Sequence, residues 1–159
     1  MRLEIYYPLW GSDHLPFDEF CARVAEAGYD GVEAFIPDEG VDEGVFLSTL
    51  RRHGLSFIAQ HALTLEPEFA AHKRTHEARL RRLAATGPEF LSSQTGRELF
   101  SFEQNRELIE LADRIAEESG VRIIHETHRS RFSFAAHLTR SYLETLPELR
   151  LTLDISHWC

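Results

Sequence analysis

Strand-like apolar runs alternate with helix-like segments along the whole chain, and this rhythm restricts the fold more than any other feature. The runs are Leu3–Tyr7, Gly31–Phe35, Leu55–His61, Glu89–Ser93, Val121–Glu126 and Arg150–Asp154. Helical segments fill the gaps at Pro16–Ala27, Asp42–His53, Glu66–Ala85, Ser101–Ser119 and Ser133–Leu146. In the first of these, Phe17, Phe20, Val24 and Ala27 recur at helical spacing, with Ser12 or Asp13 near its start. Ser101 reads as an N-cap with Gln104 completing a capping box, and Ser133 as another N-cap. Gly28, Gly54, Gly120 and the pair Gly87-Pro88 close helices. Five βα units and a sixth strand predict a parallel sheet with helical crossovers.

Two architectures have that rhythm, an open doubly wound sheet and a (β/α)8 barrel. A dinucleotide-binding sheet carries a glycine-rich turn after its first strand. Here the turn is Pro8-Leu9-Trp10-Gly11-Ser12, without a GxGxxG pattern. Polar residues instead follow nearly every strand: Glu33, His61, Gln94, Glu126 and Asp154. Strand ends converge at the active-site rim of a barrel, so the barrel is preferred. A complete barrel needs about 250 residues, and this chain has 159. The expected architecture is α/β, an incomplete (β/α)8 TIM barrel of about six strands and five helices. It forms a single domain over residues 1–159, with strands seven and eight absent.

Composition narrows the function classes. Apolar residues make up 43% and charged residues 27%, a balance typical of a soluble globular protein. The formal net charge of −9 disfavours nonspecific binding to nucleic acid or anionic membranes. Lys73 is the only lysine. The two cysteines, Cys21 and Cys159, form no CxxC motif, and Cys21 reads as a small buried apolar residue. No signal peptide is recognisable, and no run approaches the roughly 20 apolar residues of a membrane span. A cytoplasmic protein is expected.

The chemistry concentrates in HETH (His125–His128) and in the closing LTLDISHWC. Glu126 and Asp154 each end a strand, and adjacent strands lie about 4.8 Å apart. Two carboxylates that close repel unless a cation or a proton lies between them. A divalent ion meets that need, and oxygen ligands with an imidazole suit Mn, Mg, Co or Zn. His157, three residues after Asp154, either ligates the ion or holds a substrate hydroxyl. The alternative is that the carboxylates cap or pair with Arg129 and Arg131. His61 and Glu33 are each weighed between substrate contact and a structural role, and Gln94 between substrate binding and a plain turn. Arg129 and Arg131 could bind a substrate phosphate or carboxylate, although Arg131 reads better as a solvated loop charge. His72 and His76, at i,i+4 on the third helix, read as surface residues.

At these residues the chain resembles the xylose isomerase-like superfamily of barrels. That group comprises sugar and sugar-phosphate isomerases and epimerases, with family-2 apurinic endonucleases as relatives. The matching pieces are AGYDGVEAF, QHALT, SSQTG, HETHRSRF and LDISHW. The resemblance implies a metal held in part by Glu126 and Asp154, with Glu126 and His157 catalytic. His157 matches a substrate-contacting histidine. The remaining His and Glu ligands of the pattern would come from strands seven and eight. The implied reaction is proton transfer next to a carbonyl of a sugar, polyol or sugar phosphate, through an enediolate. Gln94 stands where the endonucleases need a histidine, which argues against DNA repair. Two alternatives remain: a non-catalytic half-barrel binding module completed by self-association, and a metal-dependent hydrolase or lyase on the same scaffold. Open sheet edges predict a homo-oligomer.

Overall fold

The computed structural model describes residues 2–12, 14–36, 40 and 42–158. Asp13 and Cys159 lie outside the described residues. Strands β1 (Tyr6–Pro8), β2 (Gly31–Phe35), β3 (Ser56–His61), β4 (Leu91–Ser93), β5 (Ile123–Glu126) and β6 (Leu151–Thr152) form one sheet. Their spatial order follows the sequence from β1 to β6, and every pair is parallel. Helices α1 (Phe17–Glu26), α2 (Glu43–Arg52), α3 (Phe69–Ala85), α4 (Phe102–Ser119) and α5 (Ala136–Thr145) make the crossovers. A short 3-10 turn, Ile155–His157, follows β6. The sheet curls as an incomplete TIM barrel, with β1 and β6 at its edges.

The core lies between the outer face of the sheet and the helices. Val32, Ala34, Phe57, Ala59, Leu91 and Ile123 project outward from the strands. They meet Phe20, Val24, Phe46, Leu50, Leu80, Leu83, Leu111 and Ile115 from α1 to α4. Each buried Phe or Leu stabilises the fold by about 1.5–3 kcal/mol relative to exposure. Cys21 is fully buried in this layer, as an apolar residue would be. A smaller cluster of Ile109, Phe132, Tyr142 and Leu149 seats α5.

Strand parity decides which side chains reach the barrel interior, because successive residues point to opposite faces. On β2, Val32 and Ala34 enter the core while Glu33 and Phe35 face inward to the cleft. On β3, Phe57 and Ala59 enter the core, so His61 shares their outward face and Gln60 points inward. The register aligns His61 with Ser93 and Ser93 with His125, which places these three in one row.

Several local features depart from the sequence reading. Leu3 and Ile5 are exposed, and β1 begins only at Tyr6. Pro16 precedes α1 without a side-chain cap. The third helix is capped by Glu68, whose carboxylate accepts from the Ala70 and Ala71 amides at 2.9 and 2.8 Å. The Ser101–Gln104 capping box forms as expected. Ser133 does not cap α5, which starts after Ala135 with no side-chain cap. Its hydroxyl instead donates to the Glu126 carbonyl at 2.6 Å. Gly96 is required after β4: it has φ +65°, and a Cβ there would lie 2.1 Å from Asn105 Oδ1.

His72 and His76 are buried, not on the surface. They continue the inward stripe of α3 through Leu80 and Leu83, at spacings of four, four and three residues. The His76 ring packs against His61 at 5.0 Å and His72 at 6.1 Å, measured between ring centroids. Burial lowers the pKa of His72 and drives that of His76 well below the ordinary histidine value. Arg131 is likewise buried rather than solvated. Its guanidinium donates to the carbonyls of Ala62 at 2.7 Å, Thr64 at 2.9 Å and Gly96 at 3.4 Å. It therefore ties the loops after β3 and β4 to the loop after β5.

Candidate functional site

A cleft of about 1170 Å³ opens on the inner face of the sheet, at the C-terminal ends of the strands. Glu33, Gln60, Gln94, Glu126, His128, Asp154 and His157 supply much of its polar lining, and Leu9, Trp10, Phe35 and Leu153 much of the apolar lining. This is the rim where barrels place their chemistry. Glu33, Gln94, Glu126, Asp154 and His157 from the sequence reading thus converge here.

Two expected site residues do not line the cleft. His61 points outward by strand parity. Its ring nitrogens meet Ser93 Oγ at 2.9 Å and Thr64 Oγ1 at 2.7 Å, which makes it a structural residue of the helix layer. Arg129 lies at the cleft's margin, where its Nε donates to His157 Nδ1 at 2.8 Å.

Glu126 sits on β5, buried, and its Oε2 has no hydrogen-bond partner among the described residues. A buried carboxylate oxygen without a partner is costly, and a cation answers that cost. His128 and His157 stand beside it: one ligand atom from each of the three residues lies within 4.8 Å of the others. The two imidazole centroids are 3.8 Å apart. His128 closes the HETH motif. Its role depends on contacts with Arg129 and His157, which motif spacing does not reveal.

Asp154 turns the chain after β6. Its Oδ1 accepts from the Ser156 amide at 2.8 Å and the Ser156 hydroxyl at 2.6 Å, capping the 3-10 turn. These bonds, the hydroxyl first, hold its carboxyl below the ordinary aspartate range. Its Oδ2 lies 3.5 Å from His157 Nε2. Thr127 locks this rim together, donating to the Asp154 carbonyl at 3.1 Å and accepting from the Asp154 amide at 2.8 Å. Trp158 adds a bond from Nε1 to the Ser133 carbonyl at 2.9 Å. The β5 and β6 rims are therefore one hydrogen-bonded unit.

Glu33 faces these groups from β2. Burial raises its pKa, and the negative charges of Glu126 and Asp154 raise it further. Glu33, Glu126 and Asp154 around one cleft, with Glu33 pushed toward protonation, can combine cation binding with proton transfer.

No family model matches the sequence, and no curated protein does. Solved structures match in fold. An AP endonuclease of family 2 from Brucella melitensis is 19% identical with a TM-score of 0.74, over 99% of this chain and 70% of that one. A 3-keto-D-glucoside 4-epimerase from E. coli is 16% identical with a TM-score of 0.62, over 98% and 70%. A xylose isomerase-like TIM barrel protein from Mycobacterium smegmatis, in complex with magnesium, is 11% identical with a TM-score of 0.68, over 95% and 63%. The chain thus spans 63–70% of the length of these three proteins. It shares with them the fold of a TIM barrel. Among the described residues, no helix is long and apolar enough to cross a membrane.

Proposed function

We propose that the cleft holds a divalent cation and a small polyhydroxylated carbonyl compound, and serves isomerisation or epimerisation of a sugar or sugar phosphate. The observation that carries this reading is the unpartnered buried oxygen of Glu126, beside two imidazoles and Asp154 on the functional rim of a barrel. Glu126, Asp154 and a histidine fit Mn, Mg, Co or Zn. When bound, the cation would polarise the carbonyl and neighbouring hydroxyl oxygens of a ketose-like substrate.

The chain's own residues handle binding and protons. A carboxylate takes the proton from the carbon next to the carbonyl and returns it to the neighbouring carbon or to the opposite face. Glu126 and Glu33 are the carboxylates assigned to this, and burial raises the pKa of Glu33. His157 and Gln94 hold substrate oxygens, and Arg129 attracts a phosphate at the cleft margin. The net charge of −9 makes a nucleic-acid substrate the poorer reading.

The test is solvent exchange. The protein supplied with Mn²⁺ is incubated with a panel of ketoses and ketose phosphates in D₂O and followed by NMR. Deuterium should enter at the carbon next to the carbonyl, and Glu126→Gln should abolish its entry. Metal binding without exchange on any compound would leave a binding module. Phosphate-ester cleavage without exchange would favour a hydrolase instead.

A further inference from the structure

We infer that His128, through Nε2, is the imidazole ligand of the cation, and that Arg129 withholds His157 from it. The inference rests on the metal reading above and concerns which of two adjacent histidines binds. Their hydrogen bonds decide between them. His128 Nδ1 lies 2.6 Å from the Arg129 carbonyl oxygen. A carbonyl only accepts, so Nδ1 carries the proton and the lone pair of a neutral ring is on Nε2. His157 has the opposite arrangement. Arg129 Nε donates to its Nδ1 at 2.8 Å, and a guanidinium has no acceptor. The lone pair of His157 is therefore used at Nδ1, and Nε2 bears hydrogen.

A neutral imidazole has one nitrogen available to a metal. Metal-bound histidines characteristically donate their other N–H to a carbonyl or carboxylate, which fixes tautomer and orientation. His128 already has that arrangement. His157 would have to give up Arg129 and move its proton before ligating. Its Nε2–H instead remains a donor, 3.5 Å from Asp154 Oδ2. One residue thus sets both rings: the Arg129 carbonyl prepares His128 to bind metal, and the Arg129 side chain keeps His157 as a hydrogen-bond donor. Arg129 is a positioning residue in this scheme. The ligand pair Glu126 and His128 also lies within three residues of β5 and its following turn, where Ser133 and Thr127 brace the backbone.

The experiment uses Zn²⁺ and the full chain. Long-range ¹H–¹⁵N NMR of the histidine rings, before zinc, should show His128 protonated on Nδ1 and His157 on Nε2. On adding Zn²⁺, the His128 Nε2 resonance should shift, and His157 should keep its tautomer. By calorimetry His128→Ala should weaken Zn²⁺ binding by at least about 100-fold, the upper end of the loss for a single outer partner. His157→Ala should change it by less than about threefold, a shift too small for a lost ligand. A zinc-induced change of the His157 tautomer, or the reverse order of the two variants, would overturn the assignment while leaving the metal reading intact. If Glu126→Gln and His128→Ala both leave zinc binding unchanged, the metal reading itself falls.

Discussion

Acidification to pH 5 should weaken this fold through histidines that never reach solvent. His125 ends its side chain in the layer between sheet and helices, where Thr95 Oγ1 lies 2.7 Å from Nδ1 and Phe132 packs on the ring. Burial lowers its pKa from 6.5 to about 4. The unfolded chain therefore takes up a proton as the pH falls below about 6.5, and the folded chain takes it up only near 4. Stability is fully present above 6.5 and declines as the pH falls towards 4. At about 1.4 kcal/mol per pKa unit, the whole shift amounts to about 3 kcal/mol. About 2 kcal/mol of that is lost between pH 7.5 and 5. His76 acts in the same direction. Stopping at pH 5 avoids the carboxylates with lowered pKa, such as Asp30 and Asp154, whose contributions fall away at lower pH. The assay is urea unfolding at several pH values, followed by tryptophan fluorescence with a chelator present. His125→Gln, neutral throughout, should lose about 2 kcal/mol less than the parent chain over that interval. An identical pH slope in the two proteins would refute the reasoning.

Other outcomes follow from single residues. Arg131→Met should cost about 3 kcal/mol in urea unfolding, because carbonyls of Ala62 and Thr64 lose a charged donor; relief of burying the guanidinium keeps the loss at the low end of the range. Glu33→Gln should raise stability at pH 8 and abolish solvent exchange. Because the raised pKa of Glu33 disfavours its ionised form in the fold, that gain should vanish near pH 4, and a gain that persists there would count against the electrostatic cause. The edges at β1 and β6 should pair with another copy. A clean monomer in sedimentation at high concentration would contradict that expectation.

Much of the fold was legible because local periods carry it. Phe20 and Val24 on α1, or Val32 and Ala34 on β2, announce a buried face without any tertiary information. The rim position of Glu126 and Asp154 was legible for the same reason, since each follows a strand. His61 was harder: it also ends a strand, but it shares parity with Phe57 and Ala59 and so faces the helices. His72 and His76 are buried although barrel helices turn their polar residues outward. Their spacing from Leu80 and Leu83 was the available signal of burial. Arg131 has no local signal, since its three carbonyl partners come from the loops after β3 and β4.

The sequence by itself determined the order of strands and helices, the barrel class and the two carboxylates at the rim. All of these depend on residues close together in the chain. Only the tertiary structure decided that His61 leaves the cleft and His128 enters it. It also decided that Arg129 sets the tautomers of two neighbouring imidazoles. The physical reason is that a side chain's direction follows from strand register, and an imidazole's free lone pair from partners as much as 28 residues away. Neither quantity is encoded in local periodicity.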